Sequence, residues 1–362
     1  MGKRTNEYRR EISDIMTNSI SEAHYADLEA IDHFLIQNEF SLFYYSPKYV
    51  SFLSKYLNCK YTYLLAKRKS DICGVLPYLE INTFLGKIIN TLPYYGSNGG
   101  VMASDIETEV NLINTYNELA HSSEVAASTY IPNLFFSKNP PANIAYDYTD
   151  ERIGQITFLG NDKSKKCLFD RINGTTRRNI RRAKKAGIEV EVNNDALDFL
   201  IKVHKDNMEV IGGREKSPDF FYKIPEGFEE DKDYRIYTAK LNGKLVSALL
   251  VFYFNKTVEY FTPVTVEEFR NLQPMSLILY NAMQDATNMG FKYWNWGATW
   301  PTQHGVYKFK GKWDAIDYYY KYYIKVNNKD ILRMKSGEIQ EKFPNFYVIP
   351  FHQLKGYTNE KK

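Results

Sequence analysis

Residues 234–255 read YRIYTAKLNGKLVSALLVFYFN. Two apolar runs rich in β-branched and aromatic residues flank a short polar turn, Asn242-Gly243. That is the signature of a β-hairpin. The stretch has a twin. Residues 61–82 read YTYLLAKRKSDICGVLPYLEIN and align with it gaplessly at an offset of 173. Tyr61 meets Tyr234, Ala66-Lys67 meets Ala239-Lys240, and Leu76 meets Leu249. Ile72 pairs with Leu245, and Gly74 with Ser247. A gapless match of this length argues for a duplicated unit.

Outward from the second hairpin, residues 195–211, DALDFLIKVHKDNMEVI, place Leu197, Leu200 and Ile201 on one side of a helix, with His204 or Met208. After the hairpin, a strand is expected over 256–264, a helix over 275–289 with Gly290 as its stop, and a strand over 291–296. The first copy continues through 87–92, 96–100 and a helix over 106–120. The order helix, hairpin, strand, helix, strand occurs twice. It predicts an α/β fold with mixed α+β sheets in two related domains, residues 20–160 and 161–330. They join near 160–166, and a polar, partly helical tail follows over 331–362.

The bulk composition excludes several classes. With 362 residues, 44% hydrophobic and 25% charged, the chain reads as an ordinary globular protein. A net charge of +4 is too small for a wholesale polyanion binder, so duplex DNA is not an expected partner. Cys59, Cys73 and Cys167 show no CxxC spacing, which argues against a zinc site or a disulfide framework and fits a reducing cytoplasm. The longest apolar run, residues 248–254, is far too short to span a membrane. The amino-terminal MGKRTNEYRREISD lacks a signal-peptide apolar segment, and Asn6 stands where a myristoylation signal wants Ser or Thr. A soluble cytoplasmic protein is expected. No metal-ligand spacing, nucleophile elbow, dinucleotide fingerprint or phosphate-binding P-loop is present.

Three stretches carry candidate chemistry. GTTRRNIRRAKKAG, residues 174–187, puts six basic residues into nine positions, with no acid between Asp170 and Glu189. Thr175 or Thr176 is the expected N-cap and Gly187 the stop. Arg177, Arg181 and Lys184 form one stripe of that helix, and Arg178, Arg182 and Lys185 another. Like charges so spaced repel by a few tenths of a kcal/mol per pair. Phosphate is the natural counter-ion, although a plain solvated helix fits the pattern as well. FRNLQPMSLILYNAM, residues 269–283, follows a strand and opens a helix, a place where anions bind. Its Gln273-Pro274-Met275 loop lacks glycines, and Pro274 suits the first helical position. Residues 293–314, YWNWGATWPTQHGVYKFKGKWD, close a strand and lead into Tyr307-Lys308-Phe309-Lys310. Read as a strand, this run sends Tyr307 and Phe309 to one side, and Lys308 and Lys310 to the other. A lysine there offers positive charge to a developing oxyanion. His304 lies in the same loop, while His204 sits on an apolar helix face and is expected to be packed.

Together TTRRNIRRAKKAGIEV, EEFRNLQPMSLILYNAM and GVYKFKGKW, with FYYSPKYVSFLSKYL and LPYYGSNGGVMASD in the first half, resemble the FemAB-like branch of the GNAT acyltransferase superfamily. The likeness spans roughly residues 40–325. It implies tandem GNAT-like domains and amide formation by acyl or aminoacyl transfer to an amine. The best-known members add amino acids from aminoacyl-tRNA to peptidoglycan precursors, and others serve surface-polysaccharide pathways. By the resemblance, Phe309-Lys310 matches the family's Phe-Lys pair near the acyl donor, the block around Arg177–Arg182 its basic helix, and Arg270 the opening of the GNAT pyrophosphate loop. The sequence departs from the pattern at Gln273 and Met275, where GNAT enzymes carry small residues, and at Asn295, where many relatives carry Asp. The long coiled-coil arm of some peptidoglycan-bridge enzymes has no counterpart.

The expectation is therefore a direct N-acyltransferase or aminoacyltransferase acting on an amine of a cell-envelope precursor, without a covalent enzyme intermediate. Lys310 would stabilise the oxyanion and Phe309 wall the site, with His304 or Glu259 as base. Arg177, Arg178, Arg181, Arg182, Arg270 and Tyr307 would bind substrate. No cofactor is tightly bound. The donor is aminoacyl-tRNA or an acyl thioester, and the partners are a phosphate-bearing small-molecule acceptor and tRNA. The rivals are a coenzyme A-dependent GNAT acetyltransferase, and an RNA-binding or scaffolding protein without catalysis.

Overall fold

A computed structural model describes residues 19–23, 27–94, 98–136, 141, 143–160 and 167–354. The chain divides into two compact units, Met1–Arg152 with Tyr319–Lys362, and Ile153–Tyr318. Part of the expected junction, residues 161–166, and part of the expected strand at 96–100 lie outside the described residues.

In the first unit, strands β1 (Ser19–Glu22), β2 (Lys60–Arg68), β3 (Asp71–Thr83), β4 (Gly86–Asn90) and β6 (Val125–Tyr130) lie in that order, and β5 (Met102–Ala103) pairs with β3. β4 and β6 run parallel, with helix Ile106–Ala120 between them in the chain. In the second unit, β8 (Ile188–Val192), β9 (Tyr234–Leu241), β10 (Lys244–Phe254), β11 (Thr257–Thr265) and β12 (Tyr293–Thr299) repeat the pattern. β11 and β12 are parallel, with helix Pro274–Asn288 between them. This is the α/β mixed-sheet duplication read from the hairpins.

The repeat extends to backbone detail. In the first hairpin Ala66 faces Gly74, Lys67 faces Ile72, and the register shifts between them. In the second, Ala239 faces Ser247, Lys240 faces Leu245, and the shift recurs there. A bulge is a discrete backbone feature, and both copies place it at equivalent residues. Asn242 and Gly243 both take positive φ, +51° and +78°, as a tight primed turn requires. The pair Gly74/Ser247 has a packing cause. A Cβ on Gly74 would come within 2.6 Å of Thr108 Cγ2 and 2.8 Å of Leu112 Cδ1, on the helix covering this sheet.

Strands β7 (Tyr148–Phe158) and β13 (Ala315–Val326) each cross the division between units. β7 follows the first unit's strands yet pairs with β12. β13 follows the second unit's strands yet pairs with β6. The expected boundaries at 160 and 330 therefore need correction, as does the polar tail. Ile331, Ile339, Phe343, Val348 and Ile349 are buried. Phe343 stacks on Phe84, and Thr129 Oγ1 donates to Tyr347 O at 2.7 Å. Spaced apolar residues among many charges hide this packing from a composition-based reading.

The second unit's core gathers Trp294, Trp296 and Trp313 with Leu277, Ile278 and Met283 of the parallel helix. The first unit's core joins Leu76, Ile89, Leu112, Tyr116 and Tyr130.

Candidate active site

β12 is where the second unit departs from regular sheet. Its pairing with β11 comprises three residues, Thr257 with Tyr293 through Glu259 with Asn295. Its register against β7 shifts between Asn295 and Ala298. Gly297 sits in that irregularity at φ +70°, a conformation that strains any residue with a Cβ. Its N–H donates to Asn295 Oδ1 at 2.9 Å.

Helix His304–Gly311 packs against this kink and carries Lys310 into it. Lys310 is 4% exposed. Its Nζ donates to Thr299 Oγ1 at 2.7 Å and, at 3.4 Å each, to the carbonyls of Gly297 and Ala298. Burial pushes its amine down to about 8. An ammonium has three N–H groups. Here one is firmly bound and the two long contacts are weak, so an incoming carbonyl oxygen can compete for them. The strand expected over Tyr307–Lys310 is a helical turn instead. Tyr307 and Lys310 are three residues apart and share a helix face, so an alternation four residues long was too short to separate the two periods.

Phe309 is half-buried and meets Trp296 edge-on at 6.1 Å. Tyr307 Oη donates to Asp317 Oδ2 at 2.6 Å. His304 opens the helix in an exposed position. Glu259 is buried opposite Asn295, at the last position where β11 pairs with β12. Among the described residues, Asn295 Nδ2 and Trp294 Nε1 find no acceptor. His204 is packed as expected. It accepts from Lys216 N at 3.0 Å, and burial lowers its pKa to about 4.

The basic helix spans Gly174–Lys185, and its N-cap is Asn173 rather than either threonine. Asn173 Oδ1 accepts from Thr175 N at 2.8 Å, and Gly187 stops the helix at φ +79°. Asn173 N donates to Lys312 O at 2.9 Å, which joins the first turn of this helix to the segment just after Lys310. The two stripes have different surroundings. Arg177 Nη1 donates to Asp170 O at 2.9 Å, Arg181 lies over Phe169, and Lys184 over Tyr280. Arg178 reaches Thr175 Oγ1 at 3.0 Å, while Arg182 and Lys185 are exposed. Among the described residues, no carboxylate pairs with the block. Cation–π contact over the rings partly offsets the first stripe's repulsion. The second stripe keeps its charge open to an anion.

Arg270 lies on a short turn, Glu267–Leu272, bonded to Glu267 at 2.5 Å and to Asn207. Gln273 then enters helix Pro274–Asn288 at φ +65°, with Pro274 at the first position as expected. No side chain caps this end. Gln273 takes the left-handed backbone that glycine provides at no cost, and it adds a side chain that donates to Arg270 O at 3.0 Å.

The structure puts Lys310, a candidate from the sequence, in this kink, next to Thr299 and Gly297, with Asp317 bonded to Tyr307. The sequence reading offered none of Gly297, Thr299 and Asp317 as site residues. The Trp296-Gly297 pair within β12 was the available signal for the kink. Among the described residues, no group of three His, Cys, Asp or Glu side chains is placed to hold a metal ion, and no helix is long and apolar enough to cross a membrane.

Residues 171–311 match the family model described as an acetyltransferase (GNAT) domain. No curated protein sequence matches the chain. Among solved structures, FemX superposes with a TM-score of 0.67 at 16% identity, covering 86% of this chain and 98% of that one. The carboxy-terminal domain of a putative lysylphosphatidylglycerol synthetase from Agrobacterium fabrum gives 0.54 at 11% identity, covering 90% and 99%. L-PGS from Bacillus licheniformis gives 0.50 at 14%, covering 85% and 93%. The matched segment lies within the second unit and holds the basic helix, the β11–β12 split and Lys310.

Proposed function

We propose that this chain, which has the tandem GNAT fold of the FemAB-like branch, is a cytoplasmic N-acyltransferase or aminoacyltransferase acting on an amine of a cell-envelope precursor. The observation that carries the reading is Lys310, a buried cation in the kink of β12 beside the end of the β11–β12 pairing. In this reaction the acceptor nitrogen attacks the donor carbonyl carbon. The C–N bond forms, and the carbonyl oxygen becomes an oxyanion held by Lys310 Nζ–H. Collapse expels the ribose oxygen of an aminoacyl-tRNA or the sulfur of a thioester, and the amine loses a proton. Glu259, buried at the same end of β11, is the favoured base; His304 is the second candidate. Arg178 and Arg182 offer their charge to the phosphates of a nucleotide-linked acceptor or of tRNA.

A coenzyme A thioester is the second reading, and the GNAT model over residues 171–311 favours it. Gln273 and Pro274 weigh against it, because Pro274 has no N–H and the Gln273 side chain folds over the loop. The test is turnover of nucleotide-linked amino sugars by wild type and Lys310→Ala, offered aminoacyl-tRNA and acyl-coenzyme A in parallel. Loss of one oxyanion donor is expected to cost about 10²–10³ in rate. Undiminished turnover by Lys310→Ala refutes the assignment, and the donor consumed decides between the readings.

A further inference from the structure

Helix His304–Gly311 has little of its own to hold it. It is eight residues long, has no side-chain cap, and its first three residues are exposed. Its position is fixed from the opposite side by β7. Gln155, 1% exposed, donates from Nε2 to Asp317 Oδ1 at 3.0 Å and reaches Tyr307 O at 3.5 Å. Asp317 in turn accepts from Tyr307 Oη. Two residues on, Thr157 Oγ1 donates to Trp313 O at 2.9 Å and accepts from Trp296 Nε1 at 2.9 Å. Trp313 N donates to Lys310 O at 3.0 Å. Residues i and i+2 of a strand share a face. One face of β7 thus holds the lysine-bearing segment at Tyr307, three residues before Lys310, and at Trp313, three residues after it.

We infer that Gln155 is a positioning residue: with Asp317 and Tyr307 it forms a clamp that fixes the Lys310 helix against the kink of β12. An amide bridging a strand, a carboxylate and a helical carbonyl suits this role, since it commits two N–H groups to two different elements. A buried polar group is costly unless bonded. Gln155 Nε2 reaches Tyr307 on the helix carrying Lys310 directly and, through Asp317 on β13, the Tyr307 hydroxyl, while its Oε1 has no partner among the described residues. The role rests on the proposed chemistry only for its kinetic consequence. The structural consequence is measurable without turnover.

The experiment compares wild type, Gln155→Met and Tyr307→Phe by competitive labelling of amines with a small acylating reagent. The labelling of Lys310 is followed against pH by mass spectrometry. Wild-type Lys310 is expected to titrate near 8 because it is buried. Releasing the clamp admits water to Nζ, so in Gln155→Met the midpoint moves up towards the ordinary value of 10.5. In turnover, kcat falls roughly tenfold with the acceptor KM unchanged, because displacement of a catalytic group acts on the transition state. A midpoint that stays near 8 in a folded Gln155→Met protein overturns the inference, even if the melting temperature drops. Should that variant fail to fold, Tyr307→Phe decides by the same criterion. A shifted midpoint beside a fully active Lys310→Ala would instead uphold the clamp and sink the proposed chemistry.

Discussion

The two units share a hairpin register, a bulge position and a 15-residue helix between parallel strands, Ile106–Ala120 and Pro274–Asn288. They differ at the amino-terminal end of that helix. In the first unit Asp105 closes it. Its carboxylate accepts from Thr108 N at 2.8 Å and from Arg68 at 2.9 Å, and the Thr108 N–H foremost holds its pKa far below the usual range. A fixed anion at a helix amino-terminus satisfies the dipole and repels phosphate. In the second unit the same end has no side-chain cap, and the basic helix packs along Pro274–Asn288. The strand that follows also differs. β12 kinks at Gly297 and receives a lysine, whereas β6 pairs with β4 as far as Asn90 and Thr129. The basic helix and the buried Lys310 both lie in the unit whose helix end was left open.

Removing the lysine is the change expected to have the largest effect. Lys310→Met should lower the rate about 10²–10³-fold while raising stability by roughly 2 kcal/mol at pH 7, since a buried ammonium opposes folding. The sign follows from the titration. The folded amine titrates near 8 against an ordinary 10.5, so the unfolded chain binds more protons between these values and wild-type stability rises with pH there. The variant's advantage is therefore complete below pH 8 and fades above it, which thermal melts at pH 7 and 10 would show. Equal melting curves at both pH values would contradict the burial argument.

Opening the second unit's basic stripe is the next effect in size. Arg178→Ala with Arg182→Ala should raise the KM for a phosphate-bearing substrate roughly tenfold and blunt its salt dependence, with kcat little changed. An unchanged KM would return this stripe to a solvated surface. The matching change in the first unit is smaller and purely structural. Asp105→Ala should cost about 1 kcal/mol of stability and leave turnover alone. The wild-type contribution is present above the ordinary carboxylate pKa of 3.8 and is lost as the pH falls below it, because folding lowers that pKa. Lost turnover in a folded Asp105→Ala protein would mean the first unit does more than frame the second.

These contrasts explain what was legible beforehand. The hairpins were readable because strand alternation and an Asn-Gly turn are local signals, and the duplication amplified them. The helix over residues 106–120 was expected as the continuation of the first copy of the repeat. The exchange of β7 and β13 was not, since strand partners far apart in sequence leave no local trace. The helix at His304–Gly311 was misread because its inward residues, half-buried Tyr307 and Phe309 and buried Lys310, fit either period in so short a run. Lys310 was a candidate by residue type and resemblance. Its partner Thr299, and Gln155, which bonds Tyr307 and Asp317, lie in neutral stretches where only tertiary contact gives them a role.

The most direct test of the central claim is the pH dependence of kcat in single-turnover experiments, with wild type beside Lys310→Met. If the protonated Lys310 holds the oxyanion, the wild-type rate declines with a midpoint near pH 8, and the low residual rate of the variant shows no such decline. A wild-type rate that stays level through pH 9, or the same decline in Lys310→Met, would contradict it.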